Sequence, residues 1–217
     1  MIAHLSVIED LASALLLEVE AIQVSVEKPF MLTSGKPSPV YFDCRRLISS
    51  ASSMNLIASM FQLLVETHNI CVDLVAGGES AGIPFADRLA TLLGRPLVYV
   101  RKEARAHGTK SLIEGTVISG SHALLVEDLL TDGGTKLGFI NGLRSAGAIV
   151  QDCFVVLDRE QKGKEVLLVE GVSLYSLTTA ERTLKYAHRS GMLSKTAVDS
   201  ALCYLRDPDA WIARQGQ

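Results

Sequence analysis

Apolar side chains recur at intervals of three and four from residue 4 to residue 24, through Leu5, Ile8, Leu11, Leu15, Val19 and Ile22, which predicts an amphipathic helix. The segment FMLTSGKPSPVYFD (30–43) then reads as a strand, a polar turn at Ser34-Gly35-Lys36-Pro37 and a second strand. Pro37 and Pro39 exclude a helix there, so a hairpin is expected. Helical spacing returns over 52–68 through Met54, Ile57, Phe61, Leu64 and Val65. Beyond residue 71 the pattern alternates. VDLVA is a short buried strand, GGESAG a turn and IPFADRLATLL a helix; RPLVYV is a strand, followed by the polar loop RKEARAHGTK. HALLVED is a further strand, TDGG a turn, TKLGFINGLRSAG a helix ended by Gly147, and AIVQDCFVVLD (148–158) one more strand. Strand, turn and helix in succession predict an α/β fold, a parallel sheet with helices on both faces. Right-handed crossovers then bring ligands to the carboxyl ends of the strands. Two helices are expected in the tail, 179–206, and nothing in the pattern marks a repeat, a linker or a second domain.

Composition narrows the class. A chain of 217 residues fits one domain, with 48% apolar and 21% charged residues, an ordinary globular balance. A formal net charge of −3 gives no reason to expect nucleic acid or an anionic membrane surface as partner, so any phosphate affinity must be local. Cys44, Cys71, Cys153 and Cys203 are scattered and form no CxxC pair, which favours reduced thiols over disulfides. Glu9, Asp10, Glu18 and Glu20 interrupt the first apolar run and argue against a signal or transit segment. No run approaches the roughly 20 apolar residues of a membrane helix. A cytoplasmic protein is expected.

The most informative segment is SHALLVEDLLTDGGTKLG (121–138). An apolar strand runs into Glu127 and Asp128, and the turn Thr131-Asp132-Gly133-Gly134-Thr135 then opens a helix. Glycines allow successive N–H groups to converge as an anion nest, and a helix N-terminus adds its dipole. Two threonine hydroxyls can join the same phosphate, and carboxylates at the strand end can accept from sugar hydroxyls. Taken alone, an acidic pair before a glycine turn is ordinary; the combined string suits a phosphorylated sugar. Neither GxxxxGK[ST] nor GxGxxG occurs, which removes support for nucleotide triphosphatase and dinucleotide folds.

VEDLLTDGGTK resembles the 5-phosphoribosyl 1-diphosphate signature of the type I phosphoribosyltransferases. Three further segments resemble the orotate phosphoribosyltransferase branch: FMLTSGKPSPVYFDCR its N-terminal hairpin, YVRKEARAHGTKSLIEG its mobile loop, and VVLDRE the strand end that carries an orotate-binding arginine. The likeness covers about residues 25–160 in the right order. It implies one phosphoribosyltransferase domain over 1–217, with a small N-terminal hood at about 25–45 and a helical tail from about 179. The implied reaction joins orotate to the ribose of 5-phosphoribosyl 1-diphosphate, releasing pyrophosphate and giving orotidine 5′-phosphate in pyrimidine synthesis. By the same resemblance the sugar diphosphate meets Glu127, Asp128 and the run Leu129, Leu130, Thr131, Asp132, Gly133, Gly134 and Thr135. Pyrophosphate meets Arg101, Lys102, Arg105, His107 and the turn Glu79-Ser80-Ala81-Gly82; orotate meets Tyr41, Phe42, Thr131 and Arg159. Lys102, Arg105, His107 and Asp128 are the catalytic candidates. Mg²⁺ is the implied cofactor, held mainly by substrate oxygens with no dedicated protein ligands. A homodimer with shared active sites is also implied, because Arg101, Arg105 and His107 reach into the neighbour's site in this family.

The residues fit these roles chemically. Cations on a closing loop can stabilise charge gathering on pyrophosphate and keep water out. Arg159 offers a planar fork for orotate's carboxylate, where a neutral purine would have nothing to pair. A non-catalytic regulator on the same fold would be expected to add a basic face or a DNA-binding helix. Departures from the pattern concentrate on pyrophosphate contacts: Thr33 and Ala81 stand where many members carry lysine, and Arg105 replaces lysine. A branch resembling GGETAGIP also carries alanine at the second of these positions. Ala201, Leu202, Tyr204, Leu205 and Trp211 of the longer tail are expected to pack on the core or support oligomerisation.

Overall fold

The computed structural model describes residues 2–32, 34–103 and 111–215, with side chains from residue 6 to 214 of these. A six-stranded sheet forms its centre among those residues, in the order β10-β9-β8-β5-β6-β7. β5 (Leu74–Gly78), β6 (Leu97–Val100), β8 (His122–Leu130), β9 (Ile149–Asp158) and β10 (Ser173–Thr179) are parallel, and the two-residue β7 (Ile113–Glu114) runs antiparallel at one edge. The expected parallel α/β sheet is thus observed, with β7 and β10 as additional edge strands. Alternate residues of β8 serve opposite cores, Leu124 and Val126 on one face and Leu125 on the other. That explains why the strand is a continuous apolar run. The first core packs α1 (Ile2–Glu18), α2 (Ala51–His68), α3 (Gly82–Leu93), α6 (Ala180–Arg189) and α7 (Lys195–Arg206) on one face. The second seats α4 (Gly134–Ser145) and α5 (Gly163–Val169) on the other, through Phe139, Ile140, Leu143 and Leu167.

Local signals set the helix ends. Ser50 accepts the Ser53 N–H and caps α2, while Asn69 closes it in the left-handed region (φ 51°). Gly94 ends α3 in the same way (φ 61°). Two expectations at the N-terminus need correction. The first helix stops at Glu18, and Ile22–Val24 form β1 instead of a last helical turn. Its buried face runs through Ile8, Ala12, Leu15 and Leu16, while Leu11 is exposed. The expected single hairpin is two ribbons. A tip pairs β2 (Phe30–Met31) with β3 (Pro37–Ser38), and a base pairs β1 with β4 (Val40–Phe42). Ser38 separates them: its hydroxyl donates to the Val40 carbonyl and accepts the Val40 N–H, diverting the chain around Pro39. The tail carries the two expected helices and adds α8 (Pro208–Gln215). Trp211 is buried edge-on against Tyr204, and its Nε1 donates to Ser200 Oγ, so the tail packs on the core.

Candidate active site

Because β5, β6, β8 and β9 are parallel, the residues that follow them emerge at one end of the sheet. β5 delivers Glu79, Ser80 and Ala81; β6 delivers Arg101 and Lys102; β8 delivers Thr131–Gly133; β9 delivers Arg159. The base of the hood, through Phe42, and the 3-10 turn Cys44–Ser49 close over that end. Between them lies a cavity of about 310 Å³ lined by Phe42, Asp43, Cys44, Arg45, Glu79, Ser80, Ala81, Lys102, Glu127, Asp128, Leu129, Thr135 and Lys136. The Glu79–Ser80 peptide in its wall is cis. Glu79 also fixes the loop after β6, since its carboxylate accepts the Lys102 N–H at 2.8 Å.

Glu127 and Asp128 are adjacent on one strand, so their side chains leave it on opposite faces. Glu127 points toward α4 and pairs with Lys136 Nζ at 2.7 Å, with both side chains nearly buried. Its Oε1 makes no well-formed hydrogen bond, although the nearby Gly78 N–H also favours its charge. A Cβ at Gly78 would lie 2.2 Å from that oxygen and one at Gly82 2.1 Å from it, so these glycines leave the room the carboxylate occupies. Asp128 faces the other way, toward Cys44 and Arg45. Burial pushes both carboxyls above their ordinary range, and the Lys136 ammonium draws both back. Arg45 is itself paired with Asp43. Burial also pushes the Cys44 thiol well up, which removes it as a nucleophile despite its place in the wall.

The turn after β8 has the expected form. Asp132 Oδ1 accepts the Gly134 N–H at 3.1 Å, and Gly133, at φ 86°, stands before α4 with no side chain capping it. Only glycine takes this backbone without strain. The neighbouring wall is equally tight, since a Cβ on Gly163 would lie 2.6 Å from the Thr131 carbonyl. Arg159 is half-buried, and its guanidinium sits 4.9 Å above the Phe42 ring. Its Nε has no hydrogen-bond partner, and burial lowers its pKa from the usual value. It borders a depression of about 210 Å³ with Glu160, Glu181, Leu202, Leu205 and Arg206, next to the main cavity across Phe42.

The structure therefore brings Phe42, Ser80, Ala81, Lys102, Glu127, Asp128, Leu129 and Thr135 to one cavity, with Arg159 beside it. Tyr41 stacks on Phe30 within the hood, 5.7 Å between rings, and does not line the cavity. Arg101 turns toward α4: it borders a separate hollow with Phe139 and lies 3.6 Å from Glu114. Lys36, in the hood turn, is ion-paired with Asp209 of α8. Thr33, Arg105 and His107 lie outside the described residues. Sequence reasoning missed Lys136, Asp43 and Arg45. Lys136 carried a signal, for a lysine in the first turn of a helix opposes the dipole and needs a local anion.

Comparison with known proteins agrees with this geometry. The phosphoribosyl transferase domain family matches residues 48–175. An orotate phosphoribosyltransferase from Dinoroseobacter shibae is 38% identical over 205 residues, spanning 93% of this chain and 91% of that protein. Among solved structures, orotate phosphoribosyltransferase from Aeropyrum pernix superimposes with a TM-score of 0.70 at 32% identity, over 84% of this chain and 99% of the other. UMP synthase from Leishmania donovani gives 0.78 at 26% identity, over 91% of this chain, which spans 42% of that longer protein.

Proposed function

The chain belongs to the phosphoribosyltransferase family, on its orotate branch, and from that premise we propose how the residues of the cleft divide the work. The reaction is transfer of ribose 5-phosphate from 5-phosphoribosyl 1-diphosphate to orotate. The bond from C1 to the pyrophosphate oxygen breaks, a bond from C1 to orotate N1 forms, and the N1 proton is lost.

In our reading the nest Thr131–Thr135 receives the 5′-phosphate on the N-terminus of α4. Asp128, with a carboxylate turned toward the cavity, accepts from the ribose hydroxyls, and Glu127 contributes through its remaining oxygen. As C1 becomes cationic, the Asp128 carboxylate stands nearest the sugar, with the Glu127–Lys136 pair behind it. Lys102, with Arg105 and His107 from the same loop, receives the charge that gathers on pyrophosphate. The turn Glu79–Gly82 forms the opposite wall. Phosphoribosyltransferases of this type generally use Mg²⁺, and the hard oxygen donors of Asp43, Glu79 and Asp128 around the cavity suit that ion. Such an ion, bound mainly by substrate oxygens, supplies charge neutralisation on the diphosphate. Orotate lies against Phe42, with Tyr41 behind it in the hood. The observation that carries the orotate assignment is Arg159, a half-buried side chain whose Nε is buried beside the cavity without a hydrogen-bond partner. A buried donor left without a partner is costly, and orotate's carboxylate is a group that pairs with it. The enzyme is expected to work in the cytoplasm as a homodimer.

Loss of orotate absorbance in the presence of 5-phosphoribosyl 1-diphosphate and Mg²⁺ tests these roles. A charged hydrogen bond contributes about 1.5–3 kcal/mol, so Arg159→Ala is expected to raise the orotate KM roughly 10- to 100-fold with little change in the KM for the sugar diphosphate. Lys102→Ala is expected to act mainly on kcat. An unchanged orotate KM in the first variant, or an unchanged kcat in the second, removes the assigned role.

A further inference from the structure

The reaction occupies the carboxyl ends of the strands; a different group of side chains gathers at their amino ends. We propose that Cys71, Asp73 and His122 form a binding site for a borderline divalent transition ion, zinc foremost, separate from the active site. The thiol sulfur, a carboxylate oxygen and an imidazole nitrogen of these residues all lie within 4.8 Å of one another. That spacing places an ion at the centre within about 2.8 Å of each atom, so small side-chain rotations bring all three to zinc–ligand distances of about 2.0–2.3 Å.

The fold explains the convergence. Cys71 and Asp73 lie in the segment entering β5, and His122 is the first residue of β8, its parallel neighbour. Two bonds lock two of the ligands together without any ion: the Asp73 N–H donates to the His122 carbonyl at 2.9 Å, and the His122 N–H donates to Asp73 Oδ2 at 2.8 Å. Asp73 keeps its other oxygen for a ligand. A carboxylate also lies within electrostatic reach of the imidazole. Asp152 on β9 pairs in register with Leu124, placing it on the face that His122 shares, and the two interact electrostatically. Sulfur, nitrogen and oxygen donors select zinc or cobalt over Mg²⁺ or Ca²⁺, and three ligands leave a position for water or a further partner. The site is also accessible: Cys71 and Asp73 are exposed and His122 is half-buried. Binding exchanges the thiol proton for the metal, with no redox change.

The bland explanation is that Asp73 only sets strand register and that the cysteine and histidine are chance neighbours. Metal-free full-length protein, without sugar diphosphate, distinguishes the two when titrated with Zn²⁺ against a chromophoric chelator and, separately, with Co²⁺. The proposal expects one equivalent per chain and a near-ultraviolet sulfur-to-cobalt charge-transfer band. Cys71→Ser abolishes the band, and Cys71→Ser and His122→Ala each weaken Zn²⁺ at least about a hundredfold. Orotate turnover stays at the unmodified level in Cys71→Ser. No stoichiometric Zn²⁺ binding overturns the proposal. So does binding that survives in Cys71→Ser and His122→Ala but is lost in Asp128→Asn, which would assign the ion to the active-site carboxylates.

Discussion

At the scale of single residues, the acidic pair within β8 is less symmetrical than its sequence. Glu127-Asp128 reads as two equivalent acceptors for sugar hydroxyls, but strand geometry sends them to opposite faces, and Glu127 already has Lys136 at 2.7 Å. Lys136 is thus the charge that lets a carboxylate sit buried against Gly78 and Gly82. Removing one partner of such a pair costs about 3–5 kcal/mol, so Lys136→Met is expected to destabilise by that order at neutral pH. The pH dependence has a definite sign. Burial already holds the Glu127 carboxyl above its ordinary value, and without Lys136 it rises further. A raised folded value favours the folded state below the unfolded carboxyl value, about 4.3, and that advantage disappears as pH rises through the folded value. Urea unfolding near pH 4 and near pH 8 should therefore find the variant close to the unmodified protein in the first case and well below it in the second. A deficit of equal size at both pH values would assign the loss to packing alone.

At the scale of elements, legibility followed the strength of local pattern. The apolar runs of β5, β8 and β9 were readable because most of each is buried on both faces, that of β6 because all four of its residues are apolar or aromatic, and the turns after them because glycine and charged residues punctuate them. Residues 159–178 gave no clear pattern: α5 has seven residues, too few for periodicity, and β10 mixes serine, threonine and tyrosine with its leucines. The hood was read as one hairpin because a serine side chain dividing two ribbons leaves no mark in hydropathy. The tail packs on the core: α7 lends Leu202, Leu205 and Arg206 to the depression beside Arg159, and Trp211 anchors α8. Trp211→Ala removes a buried indole and its bond to Ser200, so about 3–5 kcal/mol of docking energy should be lost. Hydrogen exchange should then accelerate through 208–215 while β8 stays protected. By contrast, Asp209→Asn breaks only the exposed pair with Lys36 and should leave the unfolding transition essentially where it is. Undiminished protection of α8 in the tryptophan variant would refute that anchoring role.

At the scale of the whole molecule, the question is where the cleft obtains enough positive charge. The chain's net charge of −3 supplies no favourable field. Among the described cations lining the cavity, Arg45 is tied to Asp43 and Lys136 to Glu127, while Arg101 turns into the adjoining hollow beside Phe139, near Glu114. Lys102 is the one left outside an ion pair, and a multiply charged leaving group needs more. A second copy can provide it if, as the family resemblance implies, Arg105 and His107 act across a two-fold dimer. Complementation tests this directly. Arg105→Ala and Arg159→Ala are each expected to be poorly active alone. In a mixed dimer, the site of the Arg105→Ala chain keeps its own Arg159 and borrows Arg105 from its neighbour, so one complete site is restored. Free exchange of equal amounts makes half the dimers mixed, each with one complete site of two, so roughly a quarter of full activity should return. If Arg105 serves its own chain, each site in the mixed dimer lacks one of the two arginines, and mixing restores nothing. Sedimentation of the mixture, confirming that subunits exchange, makes that second outcome decisive against shared sites.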